Sequence, residues 1–322
     1  MRIAFFAALA AAMLAAPSAT AQIRHTKEWP QILSGANPSD IAESLATGPQ
    51  LERGRSAKWL LADRRKLLRM LEALQPQRKN LVDAYVVSIA LDSDPVFGRE
   101  AREAGKVLSR RYDAAGRTLV LASTTGNAPG DLASGSIESL TLALARVAEL
   151  MDKERDVLIL FSTSHGAKVG LAYHDGDEGY GLLGPVRLAA ILDELGIKNR
   201  MLLLSACYSG IFVPLLANET TALITAASSE RTSFGCQAEN DWTFFGDALV
   251  NHALRKPQPL DTAIVEARDT IGRWESTHNL QPSDPQVAIG DGVAAWLAPL
   301  EARMPKGATA PVGAPATDAL KP

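Results

Sequence analysis

Two segments constrain this chain more than any other part of it: DVLILFSTSHG at 156–166 and RMLLLSACYSG at 200–210. Each opens as an unbroken run of Val, Ile, Leu, Met and Phe with no polar alternation. A strand with one face in water alternates, whereas a strand buried on both faces reads as a continuous apolar run, which requires helices on either side of a parallel sheet. Both runs end in small and reactive residues, so the buried strands deliver His165 and Cys207 to loops at their carboxyl ends.

The rest of the chain fits that plan. Further strands are expected at Leu81–Leu91, Arg117–Ser123, Thr221–Ala227 and near Val287–Gly290. Helices are expected at Gly98–Tyr112, Ser136–Asp152 (Ser136 as cap, Glu138 in the first turn), Pro185–Leu195, Asp241–Leu254 and Leu260–Trp274. Strands alternating with helices of this length imply an α/β fold with a mainly parallel sheet flanked by helices, because parallel neighbours need crossover connections. Residues 22–80 lack strand signals and read as a helical N-terminal extension broken by Pro30, Pro38, Pro49 and Pro76. Within it, Ser56–Leu74 is amphipathic, with Trp59, Leu60, Leu67, Met70, Leu71 and Leu74 facing a core and the basic residues solvated. Residues 301–322, rich in Pro, Ala and Gly without apolar periodicity, are expected to be disordered. The expected organisation is therefore 1–21 leader, 22–80 extension, 81–300 α/β domain and 301–322 tail.

The first 21 residues carry Arg2, an apolar run from Ile3 to Ala16, and Ala19-Thr20-Ala21 as a small-x-small cleavage site, which together read as a secretory signal peptide. The run is shorter than the roughly 20 residues of a membrane span, so no span is expected in the mature chain. The expected location is the periplasm or the exterior. Removing Arg2 from the 33 Lys and Arg leaves 32 against 36 Asp and Glu, a charge of −4 that offers nothing to draw nucleic acid. With 47% hydrophobic and 21% charged residues the chain can build a sizeable core. Two cysteines, Cys207 and Cys236, do not make a disulfide-stapled scaffold; they form one bridge or remain two thiols.

A thiol attacks as thiolate, and an imidazole beside it takes its proton and later returns one to a leaving amine. His165 and Cys207, 42 positions apart, are nominated for those roles because ligands of open α/β sheets sit beyond the carboxyl ends of the strands. Gly166 lets backbone N–H groups approach a reacting carbonyl, and with the N–H of Cys207 it forms a candidate oxyanion hole. Ser209-Gly210 permits a tight exit from the strand. No cofactor is called for. His25, His252 and His278 lack ligand-like spacing, and His174–Gly179 lacks the full ligand set of a calcium loop, so no metal site is expected and the latter segment reads as a surface turn.

Taken together, Ser164-His165-Gly166, Ser205-Ala206-Cys207-Tyr208-Ser209-Gly210 and the block from Thr225-Ala226-Ala227 through Thr232–Cys236 to Phe245-Gly246-Asp247 resemble the C13 (legumain-like) cysteine peptidases of the caspase-like group. The resemblance spans roughly Leu81 to Gly290 and looks most like the bacterial, exported branch. It implies a caspase-hemoglobinase fold, His165 as general base and acid, Cys207 as nucleophile, and cleavage of peptide substrates through a thioester. It also implies substrate-binding roles for Asp247 (the Gly-Asp aspartate), for Ser233, for Ser205 where legumains carry a glutamate, and for Arg99 or Arg102 near the specificity arginine. Ser164 replaces the legumain aspartate, and these departures leave the residue on the acyl side of the cleaved bond open. Two other outcomes share the motifs: a transamidase or ligase that resolves the thioester with an amine, and a non-catalytic binding protein on a peptidase fold.

Overall fold

Every residue of the three central strands is buried: β2 (Ala84–Ala90), β4 (Val157–Thr163) and β8 (Arg200–Ser205). A computed structural model describes residues 38–39, 41–42, 50–52, 55–122, 130–176 and 178–320. The proposed leader, 1–21, lies outside them. Before the central strands come β1 (Gln50–Glu52) and helix α1 (Ala57–Glu72), and between them α2 (Pro95–Arg111), β3 (Thr118–Ala122) and α3 (Ile137–Leu150). The chain continues through β5 (Gly166–Ala167), β6 (Gly170–Asp175), β7 (Gly179–Leu183) and α4 (Pro185–Glu194) to β8. There follow α5 (Val213–Leu216), β9 (Thr221–Thr225), a π-helical turn at Gly246–His252, α6 (Leu260–Thr277), β10 (Val287–Ile289) and α7 (Val293–Glu301).

The main sheet runs β10-β9-β8-β4-β2-β3, parallel throughout except for β10 against β9. Successive side chains of a strand point to opposite faces, and the core divides accordingly. Tyr85, Val87, Ile89, Leu158, Leu160, Leu202 and Leu204 meet α1, α3 and α4 on one face. Val86, Val157, Ile159, Phe161, Met201 and Leu203 meet α2, α6 and α7 on the other. Each fully buried Leu or Ile contributes about 1.5–3 kcal/mol, so this double layer holds the central strand ends firmly in place. This is the α/β sheet flanked by helices that the apolar runs demanded.

Local signals act as expected at several ends. Ser136 accepts the N–H of Ser139 at the start of α3, and Ser56 accepts that of Trp59 at the start of α1. Helix α2 begins at Pro95, three residues earlier than expected, because proline is pre-organised for a first helical turn. Leu60, expected on the core side of α1, is instead half exposed, and Leu67 and Leu71 are the residues that reach the core.

Three expectations are corrected. Residues 22–80 are not wholly helical: β1 pairs with β7 in a second, antiparallel sheet of order β1-β7-β6-β5. Such short, glycine-rich strands leave too few residues for an alternating pattern to show. His174 and Asp175 end β6 and Gly179 opens β7, paired as the two arms of a hairpin, with Gly176 at φ 56°. The tail is the second correction, since residues 304–320 pack on the body of the protein. Trp242 Nε1 and Asn251 Nδ2 donate to the Val312 carbonyl at 2.8 and 3.0 Å, and the Ala316 N–H donates to Asp247 Oδ2 at 2.9 Å. Order here comes from polar groups elsewhere in the chain, which a scan for apolar periodicity does not register. Third, Asp241–Leu254 is not one regular helix; residues 244–245 start a helical turn that continues as a π turn, Gly246–His252, and then a 3₁₀ turn, Ala253–Arg255.

Candidate active site

β4 and β8 are neighbours in register, Thr163 opposite Ser205, so the loops that follow them emerge side by side. The Ser164 N–H donates to the Ser205 carbonyl at 3.1 Å and continues the ladder to the edge of the site. Beyond it the two loops touch. A Cβ added to Gly166 would stand 2.0 Å from the Cys207 carbonyl oxygen, so only glycine allows this approach. After Cys207 the chain turns sharply through Tyr208, at φ 57°, into the 3₁₀ turn Ser209–Phe212.

His165 is held from both sides. Its carbonyl accepts the Ala172 N–H at 2.9 Å, which ties the loop to β6. Its ring meets Phe97 edge-on at 5.0 Å between centroids, and its Nε2 faces Asp94 Oδ2 at 3.4 Å. Asp94 stands at the residue before α2, shortly after β2, the neighbour of β4; its side chain makes no capping bond to the helix, and its own N–H is held by Asp92 Oδ1 at 2.8 Å. Asp92 is buried, and burial raises its carboxyl above the usual range. In the sequence, Asp92-Ser93-Asp94-Pro95 reads only as a turn; the signal for a role was its place at the carboxyl end of the strand next to the histidine's.

Cys207 is a free thiol, as is Cys236, so the bridge left open above is absent. Its sulfur accepts the N–H of Ser233 at 3.2 Å and lies 3.6 Å from the Ser233 hydroxyl. The Cys236 thiol also donates to it. Those donors, with Cys236 first, then the Ser233 N–H and hydroxyl and the charge of His165, outweigh burial and bring Cys207 down to about 6. The same hydrogen bond, together with burial, pushes Cys236 well up. One thiol is thereby made anionic and its neighbour kept protonated.

The register also frees a donor. Gly166 and Leu171 form a non-hydrogen-bonded pair, flanked by the Ala172 N–H to His165 O bond, so the Gly166 N–H stays outside the ladder. It sits where the backbone of Cys207 passes.

Of the expected substrate-binding residues, Ser233 alone touches the nucleophile. Ser205 is buried beneath it, donating to Glu100 Oε1 at 3.0 Å. Glu100, which the sequence did not single out, also accepts from Thr243 N at 3.0 Å, and burial pushes its carboxyl up to about 7. Asp247 is fully buried, and Asn251 Nδ2 and the Ala316 N–H take its two oxygens at 2.8 and 2.9 Å. Arg99 is likewise engaged elsewhere, with the Ala238 and Asn240 carbonyls and, at 3.1 Å, Asp241. Arg102 pairs with Asp131 at 2.9 Å. Among the described residues no group of three or more His, Cys, Asp or Glu is arranged to hold a metal, and no helix is long and apolar enough to cross a membrane.

Residues 138–285 match the model of the Peptidase C13 family. That span holds both His165 and Cys207, it bears out the resemblance drawn from the motifs, and it supports a function of the cysteine-peptidase type. A search of the curated proteins returns no match. Among solved structures, caspase-1 from Spodoptera frugiperda is similar to this chain, with 13% identity and a TM-score of 0.44, over 67% of this chain and 93% of its own.

Proposed function

We propose that this C13-like chain is a cysteine endopeptidase that hydrolyses peptide bonds through a thioester on Cys207, with His165 as general base and acid. The observation that carries the proposal is a sulfur held near pKa 6 on the loop that packs, glycine against backbone, on the loop of the histidine. With Nε2 turned to Asp94, Nδ1 is the nitrogen left to exchange a proton with the thiol and the leaving group. The thiolate attacks the carbonyl carbon, and the negative charge on its oxygen is met by the N–H groups of Gly166 and Cys207. One such donor is worth about 3 kcal/mol of barrier. His165 then protonates the departing amine, the thioester forms, and a water deprotonated by His165 releases the acid. The Asp94 carboxylate, 3.4 Å from Nε2, orients the ring through those transfers. Ser233 lies where the acyl side of the substrate would pass. In this reading the leader 1–21 exports the protein to the periplasm or beyond, and its substrates are peptides or proteins met there.

The test is turnover of a diverse peptide library by the mature chain, 22–322. Cys207→Ala and His165→Ala are each expected to lower kcat/KM by at least about 10³-fold, with circular dichroism unchanged. Turnover by Cys207→Ala at the parent rate would remove the cysteine from the mechanism.

A further inference from the structure

Beside the nucleophile's loop lies a cleft of about 590 Å³ that the proposed chemistry does not use. Arg231 forms one lip. Its carbonyl accepts the N–H of Tyr208, the residue after Cys207, at 2.8 Å, and Ser233, two residues on, donates to the Cys207 sulfur. One lip of the cleft is therefore tied to the turn that follows the nucleophile. The opposite wall is α6, which contributes Val265, Arg268 and Gly272, and Pro282 and Pro285 close the end.

The walls are fixed independently of any ligand. The Ser228 N–H donates to the Ser283 carbonyl at 3.0 Å, and the Ser283 N–H donates to the buried Glu275 carboxylate at 2.9 Å. Three features stay unexplained by the fold. The side chains of Arg231 and Arg268 make no hydrogen bond or ion pair among the described residues, although most arginines of this chain do. Gly272 sits inside a helix, where glycine costs about 1 kcal/mol relative to alanine, yet a Cβ there would meet nothing within 4 Å. Packing does not require it; a chain lying against the helix backbone would. Val265, 59% exposed, offers an apolar contact along the same wall.

We propose that this cleft is a subsite for the peptide substrate, that the substrate backbone lies over Gly272, and that Arg231, assisted by Arg268, takes an acidic side chain. The inference rests on the peptidase reading above and names the class of peptide it cuts. Asp269, Asp284 and the buried Glu275 also line the cleft. They disfavour an acid deep in the cleft and place the recognised carboxylate at the Arg231 lip, nearest the nucleophile. Substitution of the Arg231 side chain leaves its carbonyl bond to Tyr208 in place, which separates recognition from the architecture of the site.

The experiment is positional profiling of cleavage by the mature chain, followed by kcat/KM for paired peptides that differ only in Glu or Gln at the position selected. The parent should favour Glu by about 10- to 100-fold, the range of a charge-assisted hydrogen bond. Arg231→Gln should bring the ratio to within about twofold of one, Arg231→Glu should invert it in favour of a Lys peptide, and Gly272→Leu should raise KM for both peptides. Efficient cleavage by the parent with no acidic preference, or a preference that survives Arg231→Gln, overturns the subsite and leaves the peptidase reading standing. A parent chain that cuts no peptide at all overturns both.

Discussion

Cys207 and Cys236 illustrate how a pair of identical side chains is made unequal. A thiolate is stabilised by each donor aimed at it and opposed by burial. Cys207 receives the Cys236 thiol, the Ser233 N–H and the Ser233 hydroxyl, and its folded value falls to about 6. Alkylation by iodoacetamide, followed at the Cys207 peptide by mass, should show a half-maximal rate near pH 6. In Cys236→Ala the first of those donors is lost and the midpoint should move upward. A midpoint unmoved by that substitution would assign the acidity to Ser233 and His165 alone. The nucleophile was legible in the sequence because its type and its place at a strand end sufficed to nominate it. Its donors were not legible, because Ser233 and Cys236 reach it across a loop whose path no local pattern specifies. The same holds for Asp94, a plain turn residue until β2 is seen beside β4.

At the scale of elements, the contact between the loop after β4 and the loop after β8 is what turns two strands into one site. Gly166→Ala would set a methyl group 2.0 Å from the Cys207 carbonyl oxygen. Backbone cannot yield as a flexible side chain does, so this variant is expected to lose at least about 100-fold in kcat/KM through displaced N–H donors, while its far-ultraviolet circular dichroism stays native. Parent-like kcat/KM would show that the loops tolerate separation. The strands β2, β4 and β8 could be read directly, since burial on both faces writes itself as an uninterrupted apolar run. The antiparallel sheet of β1, β5, β6 and β7 could not, since its strands are two to six residues long. The packed tail escaped for a different reason: Ala316 and Val312 are held by Asp247, Asn251 and Trp242, partners in a distant part of the chain that no local pattern in the tail signals. The motif aspartate, Asp247, is buried and holds the Ala316 N–H of that tail.

For the molecule as a whole, the buried Glu100 under the nucleophile's strand couples stability to pH. Its folded value of about 7 lies above the 4.5 of a free glutamate, so the folded state holds a proton that the unfolded chain releases between those values. Stability contributed by that proton is fully present below about pH 4.5, declines as pH rises, and is gone above about pH 7, a change on the order of 3 kcal/mol. Thermal denaturation should therefore show a melting temperature that falls from pH 5 to pH 8 in the parent and falls less in Glu100→Gln. Identical pH profiles for the two proteins would place the proton elsewhere. The proposed catalysis turns on covalent chemistry at one sulfur, and rapid quenching of the mature chain with an excess of a peptide it cleaves tests it most directly. Peptide mapping of the quenched protein by mass spectrometry should find the acyl fragment as a thioester on Cys207; turnover with Cys207 never acylated, or an acyl group on Cys236 instead, would contradict it.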